Sequence, residues 1–387
     1  MKNTFLIIGI MICIALSVPT TINATDNKIN NKSEAVKADD MENMTKSDQM
    51  QFEKQLLKTK VENNMTFEEQ LKYYSIEKVS RLFHKTFLTS TNIIIGTPEY
   101  SEYISYLLLN DNNAWNSKKY GKILRVYAAA YSNAVEGSTA VKRGNLPEEL
   151  NGKTLWEYAK ETGELRVGVN KSALTTKANN IADINILSRF EVYAKAAYSP
   201  ERAVKYAAMY NEKSTKKDGH KADRNGAYKS FPNGDCTNYV SQCVNYAGKN
   251  MQPKKLPVKQ ECTDNLKYWF NKKYTYKING EKKKLFKYST SFVRVGDFYK
   301  YWGQKRGYKI DGTYWDTDKN SKLQRVLKLG DIVQVHEFLG GWHHSIIITG
   351  GKQGDWKYSG HTHDRYNKRV STLSESPTTY YRVIRIR

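Results

Sequence analysis

The chain has 387 residues and carries 62 Lys and Arg against 39 Asp and Glu, a formal net charge of +23. So basic a chain is drawn to polyanions such as wall teichoic acids, anionic lipid or nucleic acid. Its lysines are scattered, and no helix-turn-helix, zinc-knuckle or Gly-aromatic RNA-binding signature is present, which removes the motif-bearing nucleic-acid binders.

In chain order, residues 1–24 read as a secretory signal peptide. Lys2 gives a short positive start, Phe5 to Val18 is apolar apart from Gly9 and Ser17, and Ile22-Asn23-Ala24 offers a small residue before a cut. The apolar run is too short for ~30 Å of hydrocarbon, and no later run is long enough to span a membrane. Export follows as an expectation. Residues 25–50, rich in Asn, Lys, Asp and Ser, read as a linker. Residues 51–195 form a mainly helical N-terminal region: Leu71, Tyr74, Val79, Leu82 and Phe83 make one apolar stripe, and Ile123, Leu124, Val126, Tyr127 and Tyr131 another. A short strand is expected at Leu165–Val169. No catalytic constellation stands out before residue 195.

A second unit, 198–387, begins with a helix. Ser199 caps it, Pro200 takes the first helical position, and Ala203, Tyr206, Ala207 and Tyr210 recur at helical spacing. The next helix carries the chemistry. Asp235 is an N-cap residue type, Cys236 follows at the first position, Val240, Cys243, Val244 and Ala247 form the apolar stripe, and Gly248 supplies the stop. A thiol at a helix N-terminus sits in a positive field that favours the thiolate nucleophile. The cysteines after Cys13 are Cys236, Cys243 and Cys262, an odd number that excludes a fully paired intrachain framework. Cys236 and Cys243 lie about 10 Å apart along such a helix at ~1.5 Å per residue, beyond the ~7 Å reach of a disulfide.

Leu329 to Val335 reads as a turn into a strand, Ser345 to Thr349 as a buried strand reached through a Gly340-Gly341 turn, and Trp356 to His361 as the next strand. His344 opens the buried strand and is the candidate base. His361 is the candidate third member that orients it, with Asp364 as competitor. Five of the seven histidines lie between 336 and 363. A zinc set drawn from His336, His343, His344, His361, His363 and Asp364 is the rival reading, but the spacing is not HExxH and no CxxC pair exists, so neither metal nor cofactor is expected. Tyr228 and Asn238 are both open as side-chain oxyanion donors beside the Cys236 backbone N–H.

The segments Asp235 to Cys243, Gly330 to Gln334, His344 to Gly350 and His361 to Arg365 occur in the order seen in the amidase domain of secreted bacterial proteins, which resembles the papain-like NlpC/P60 and CHAP cell-wall hydrolases. Tyr288 to Phe292 and Val295 to Tyr299 are similar to the family's middle segment, with Phe292 where Trp is expected and His343 where the family often has an acid. The resemblance covers roughly 198–370. It implies an α+β, papain-like fold with the nucleophile helix on an antiparallel sheet, and Cys236, His344 and His361 as the catalytic set. It further implies a cysteine amidase or peptidase, and together with the expected export and the positive charge it points to peptidoglycan peptide as substrate. A non-catalytic wall-binding or adhesion module is the alternative. The aromatic groups at Lys267–Phe270 and Tyr299–Trp302 either stack on sugar or fill the core.

Overall fold

The computed structural model describes residues 65–386 apart from 111, 117, 139–140, 166–197, 212–223, 253–259, 279–280, 306–309, 316–320 and 374–378. The signal-peptide and linker assignments, and all but the first residue of the strand expected at 165–169, lie outside the described residues.

Among the described residues the N-terminal region is helical. The helices that shape it are α1 (Phe67–Tyr73), α2 (Ile76–Phe87), α3 (Pro98–Asn110), α4 (Gly121–Val135) and α5 (Leu155–Glu161). Thr66 and Thr154 start α1 and α5 with reciprocal capping boxes, each threonine accepting from the N3 backbone while the N3 glutamate reaches back to the cap N–H. Helix α4 is buried around almost its whole circumference. Its Ala128, Ala129 and Ala130 leave room for other elements to press close: a Cβ built on Gly340 would lie 2.4 Å from Ala129 Cβ. Phe83, Tyr100, Tyr127 and Tyr131 pack around it in one aromatic core, which Leu339 from the sheet also enters.

The second half is α+β. Helices α6 (Pro200–Met209) and α7 (Cys236–Tyr246) precede a small sheet of β1 (Cys262–Thr263), β2 (Asn271–Ile278) and β3 (Glu281–Ser289), ordered β1-β3-β2. Two short helical turns, Thr290–Val293 and Val295–Tyr299, lead on to a six-stranded antiparallel sheet. Its strands are β4 (Ile310–Trp315), β5 (Ile332–Glu337), β6 (Gly341–Gly350), β7 (Lys357–Gly360), β8 (Arg365–Arg369) and β9 (Thr379–Ile384), in the order β4-β9-β5-β6-β7-β8. Ser199 accepts from Arg202 N to cap α6, and Gly248 at φ 115 ends α7, both as the sequence implies.

Strand alternation sorts the sheet residues onto two faces. Ile332, Ile347 and Ile384 pack with Tyr239, Val240 and Cys243 of α7 and with Ala203 and Tyr206 of α6. Val333, Val335, Ile346, Ile348 and Val383 face the other way, with Leu109 and Leu323. The aromatic groups Trp269, Phe270, Tyr301 and Trp302 belong to the α7 core rather than to an open cleft. Among the described residues no helix is long and apolar enough to cross a membrane.

A buried ion pair joins the helical layer to the sheet. Arg125 Nε of α4 donates to Glu337 Oε2 of β5 at 2.6 Å, and its Nη2 donates to Thr379 Oγ1 of β9 at 2.9 Å. Removing one partner of such a pair leaves an uncompensated buried charge. Arg125→Ala is therefore expected to cost about 3–5 kcal/mol of unfolding free energy in denaturant titrations; a loss near zero would show that the layers are not joined there.

Candidate active site

Cys236 is the first residue of α7 and is buried beside the sheet. The first turn is fixed from below. Thr237 Oγ1 and Ser345 Oγ of β6 are 2.8 Å apart, Gln334 Nε2 of β5 donates to Ser345 Oγ at 3.1 Å and to Val295 O at 2.9 Å, and Arg382 Nε of β9 donates to Gln334 Oε1 at 2.6 Å. Arg382 in turn lies flat against Tyr299 and Trp342, 3.7 and 3.8 Å from their ring centres. Burial pushes its pKa down to about 9.

Asp235 does not cap α7 with its side chain. Its Oδ1 accepts from Phe231 N and Asn238 Nδ2, and its Oδ2 meets His361 Nδ1 at 2.9 Å and Arg224 Nε at 3.2 Å. Burial works to raise its pKa, but the His361 hydrogen bond and the Arg224 charge outweigh it and the net shift is downward. His361 also faces Tyr210 O through Nε2 and stacks on Tyr239, ring centres 3.8 Å apart. Asp364 makes a two-pronged pair with Arg224. Through these bonds His361 and Asp364 both hold the loop ahead of α7.

His344 itself shares a sheet face with Val335, its direct pairing partner, and with Ile346. Its Nε2 is 3.6 Å from the position of a Cβ on Gly360 and is buried with no hydrogen-bond partner among the described residues. Ser345, the next residue, is the one that faces α7. Burial, helped by the charges of Arg365 and His363, pushes His344 down to about 3, so the ring is neutral at physiological pH. In the described conformation His344 therefore projects from the face of β6 opposite to Ser345. The strand is irregular just before His344: the register shifts between the Val335 and His336 pairs, leaving His343 as the extra residue.

The group that does touch the thiol was not singled out from the sequence. Glu136, which ends α4, takes the Cys236 Sγ–H on Oε1 at 2.8 Å, the Thr237 N–H on the same oxygen at 3.3 Å, and the Val295 N–H on Oε2 at 2.7 Å. Burial raises the Glu136 pKa to about 7 against those hydrogen bonds. Burial also raises Cys236 well above the usual thiol value, and the Glu136 charge adds to it; the Ser345 backbone N–H works in the opposite direction but does not prevail. Glu136 lies a hundred residues upstream with no local motif around it, so nothing in the sequence pointed to it. The open oxyanion candidates are otherwise engaged: Tyr228 donates to Asn245, and Asn238 bonds Lys229 O, Asp235 and Asn271. The backbone N–H groups of Thr237 and Val295 converge at that place instead.

Among the described residues no group of three His, Cys, Asp or Glu side chains is placed to hold a metal ion. His336 pairs with Glu164 and His363 lies beside Glu102, well apart in function from His361 and Asp235. Cys236, Cys243 and Cys262 are all free thiols.

A family model described as "Putative amidase domain" matches residues 197–384. The matched stretch takes in Cys236, Thr237, Val295, His344, His361 and Asp364 and leaves out Glu136. No curated protein and no solved structure matches the chain. The matched stretch thus contributes the thiol and both backbone donors, while the helical region before it contributes the carboxylate that they bind.

Glu136 has a pH signature. Its folded pKa of about 7 lies above the usual 4.5, so the folded chain holds this proton more tightly than the unfolded chain. The contribution is fully present below about 4.5 and is lost as pH rises through about 7. The unfolding free energy of the wild type, relative to Glu136→Gln, should fall by about 3 kcal/mol across that window. A flat difference in paired denaturation curves would mean that the carboxyl is not shifted.

Proposed function

We propose that this chain is an exported cysteine amidase that hydrolyses an amide bond in peptidoglycan peptide. One observation carries the reading: the Cys236 sulfur and the Thr237 and Val295 N–H groups all reach one carboxylate. A nucleophile with backbone donors grouped beside it suits acyl transfer, because the carbonyl oxygen gains its negative charge where donors already point. The amidase-domain match supports amide hydrolysis as the chemistry.

In the proposed cycle the Cys236 thiolate attacks the carbonyl carbon and the oxyanion rests on Thr237 N–H and Val295 N–H. The intermediate collapses with a proton given to the leaving amine, and water then releases the acid from the thioester. His344 is assigned as the proton carrier. That role needs its ring at Sγ in the working form, and the irregularity of β6 beside His343 is the place where the strand can re-aim it. His361 and Asp364 are positioning residues, since they act through Asp235 and Arg224 on the loop that leads into α7.

Purified peptidoglycan incubated with the full chain should give new fragments by mass spectrometry, and their masses name the bond cut. Cys236→Ala should give none. His344→Ala should lose nearly as much, because members of one catalytic unit are not additive. Fragments persisting with Cys236→Ala would remove the cysteine mechanism, and full activity in His344→Ala would move the base elsewhere.

Association with anionic wall polymer is supported by the β2–β3 ribbon. Lys282, Lys283 and Lys284 follow one another, all exposed, on β3. Replacing Lys282, Lys283 and Lys284 with Gln should weaken co-sedimentation with cell walls at low salt. The difference should vanish near ~1 M salt, where the screening length is ~3 Å. Equal sedimentation at low salt would take the ribbon out of wall binding.

A further inference from the structure

Glu136 fills a place that the reaction itself needs. When a thioester at Cys236 is hydrolysed, the product is a carboxylate with one oxygen near sulfur and the backbone donors around it. Glu136 presents that group in that position, with 2.8 Å to Sγ, 3.3 Å to Thr237 N and 2.7 Å to Val295 N. The approach of its backbone is also specific. Gly137 N donates to Gly234 O at 3.2 Å. A Cβ on Gly234 would sit 2.6 Å from Glu136 Cα, and one on Gly137, at φ +66, would sit 2.6 Å from Val293 Cγ2. Only glycine at those two positions lets the end of α4 press against both walls of the site.

We propose that Glu136 is a tethered carboxylate ligand of the amidase site, occupying the acyl-oxygen seat and holding the chain in a resting form. The inference rests on Cys236 being the nucleophile of the proposed reaction. A proton-transfer role for Glu136 is the competing idea, and three observations favour the ligand. Its carboxylate engages both backbone donors that a tetrahedral intermediate would use. Glu136 and Cys236 are 1% and 2% exposed, so Glu136 closes the side of the sulfur that it touches. Glu136 also lies outside the matched 197–384, which contains the thiol and the donors. The helical layer therefore regulates the domain it covers, and opening means withdrawal of residues 135–137 from the cleft.

The test uses the full chain and Glu136→Ala, with iodoacetamide as the probe and peptide mass spectrometry to read Cys236 separately from Cys243 and Cys262. Alkylation of Cys236 should be at least about tenfold faster in the variant, the change that one unit of thiol pKa produces in thiolate. Acetate should slow it again in a saturable manner, acetamide should not, and neither should affect the wild type. Hydrolysis of peptidoglycan should rise. Glu136→Gln, which keeps the volume, should also be alkylated faster than the wild type and serves if the alanine variant does not fold. Unchanged alkylation in both variants overturns the proposal, and so does faster alkylation without protection by acetate, which would mean general loosening. Loss of hydrolysis in Glu136→Ala, with the wild type active, makes Glu136 a proton carrier and also overturns it. If no variant hydrolyses any wall substrate but acetate still protects Cys236, the carboxylate seat stands and the amidase reading falls.

Discussion

The contact between Thr237 Oγ1 and Ser345 Oγ, 2.8 Å long, seats the first turn of α7 on β6, and the site is built outward from it. Ser345 is held by Gln334, Gln334 by Arg382, and Arg382 by the faces of Tyr299 and Trp342. The same Gln334 amide binds Val295 O, while the Val295 N–H goes to Glu136 Oε2. One buried chain of hydrogen bonds thereby gathers a thiol and two backbone donors around one carboxylate, the thiol and Thr237 N–H on Oε1 and Val295 N–H on Oε2. Such networks rigidify a core when every member has its partner.

Burial then sets the charges. Glu136 is pushed up to about 7, Cys236 is raised, and His344 is lowered to about 3. Each group is driven toward its neutral form, because a dry interior penalises charge of either sign. A thiol that is protonated, buried and hydrogen-bonded to a carboxylate is a weak nucleophile. The field at the helix N-terminus favours thiolate, but it amounts to about half a charge and is outweighed here by desolvation and by the carboxylate beside it. In the proposed reading, the resting arrangement differs from a reactive one in the occupancy of the carboxylate seat and in the aim of the His344 ring.

The helical layer is more than an attachment to the domain. The Arg125–Glu337 pair, the alanine face of α4 against the β5–β6 turn, and the Ser132 hydroxyl donating to His343 O at 3.2 Å all tie α4 to the strand that carries His344 and Ser345. A shift of α4 would therefore be felt at both the carboxylate seat and the irregular part of β6.

Much of the fold was legible in the residues themselves. The Ser199-Pro200 start of α6, the apolar stripe and Gly248 stop of α7, the Gly340-Gly341 turn and the antiparallel β5-β6-β7 order all follow from local rules of capping, periodicity and turn chemistry. Cys236 at the head of a helix was readable for the same reason. The contacts that decide the chemistry were not. Whether Asp235 caps its helix or binds His361, and which sheet face takes His344, depend on pairing across more than a hundred residues and on a one-residue irregularity in β6. A slip of one residue exchanges the faces of a strand, so local pattern alone does not settle them. Glu136 is the extreme case, an unremarkable glutamate at a helix end until the tertiary fold sets it against Cys236. The sequence by itself determined the elements and the nucleophile's place on its helix, because these are short-range properties of the chain. Only the tertiary structure decided what meets the thiol, because that contact joins distant segments in a buried, low-dielectric space that no local pattern encodes.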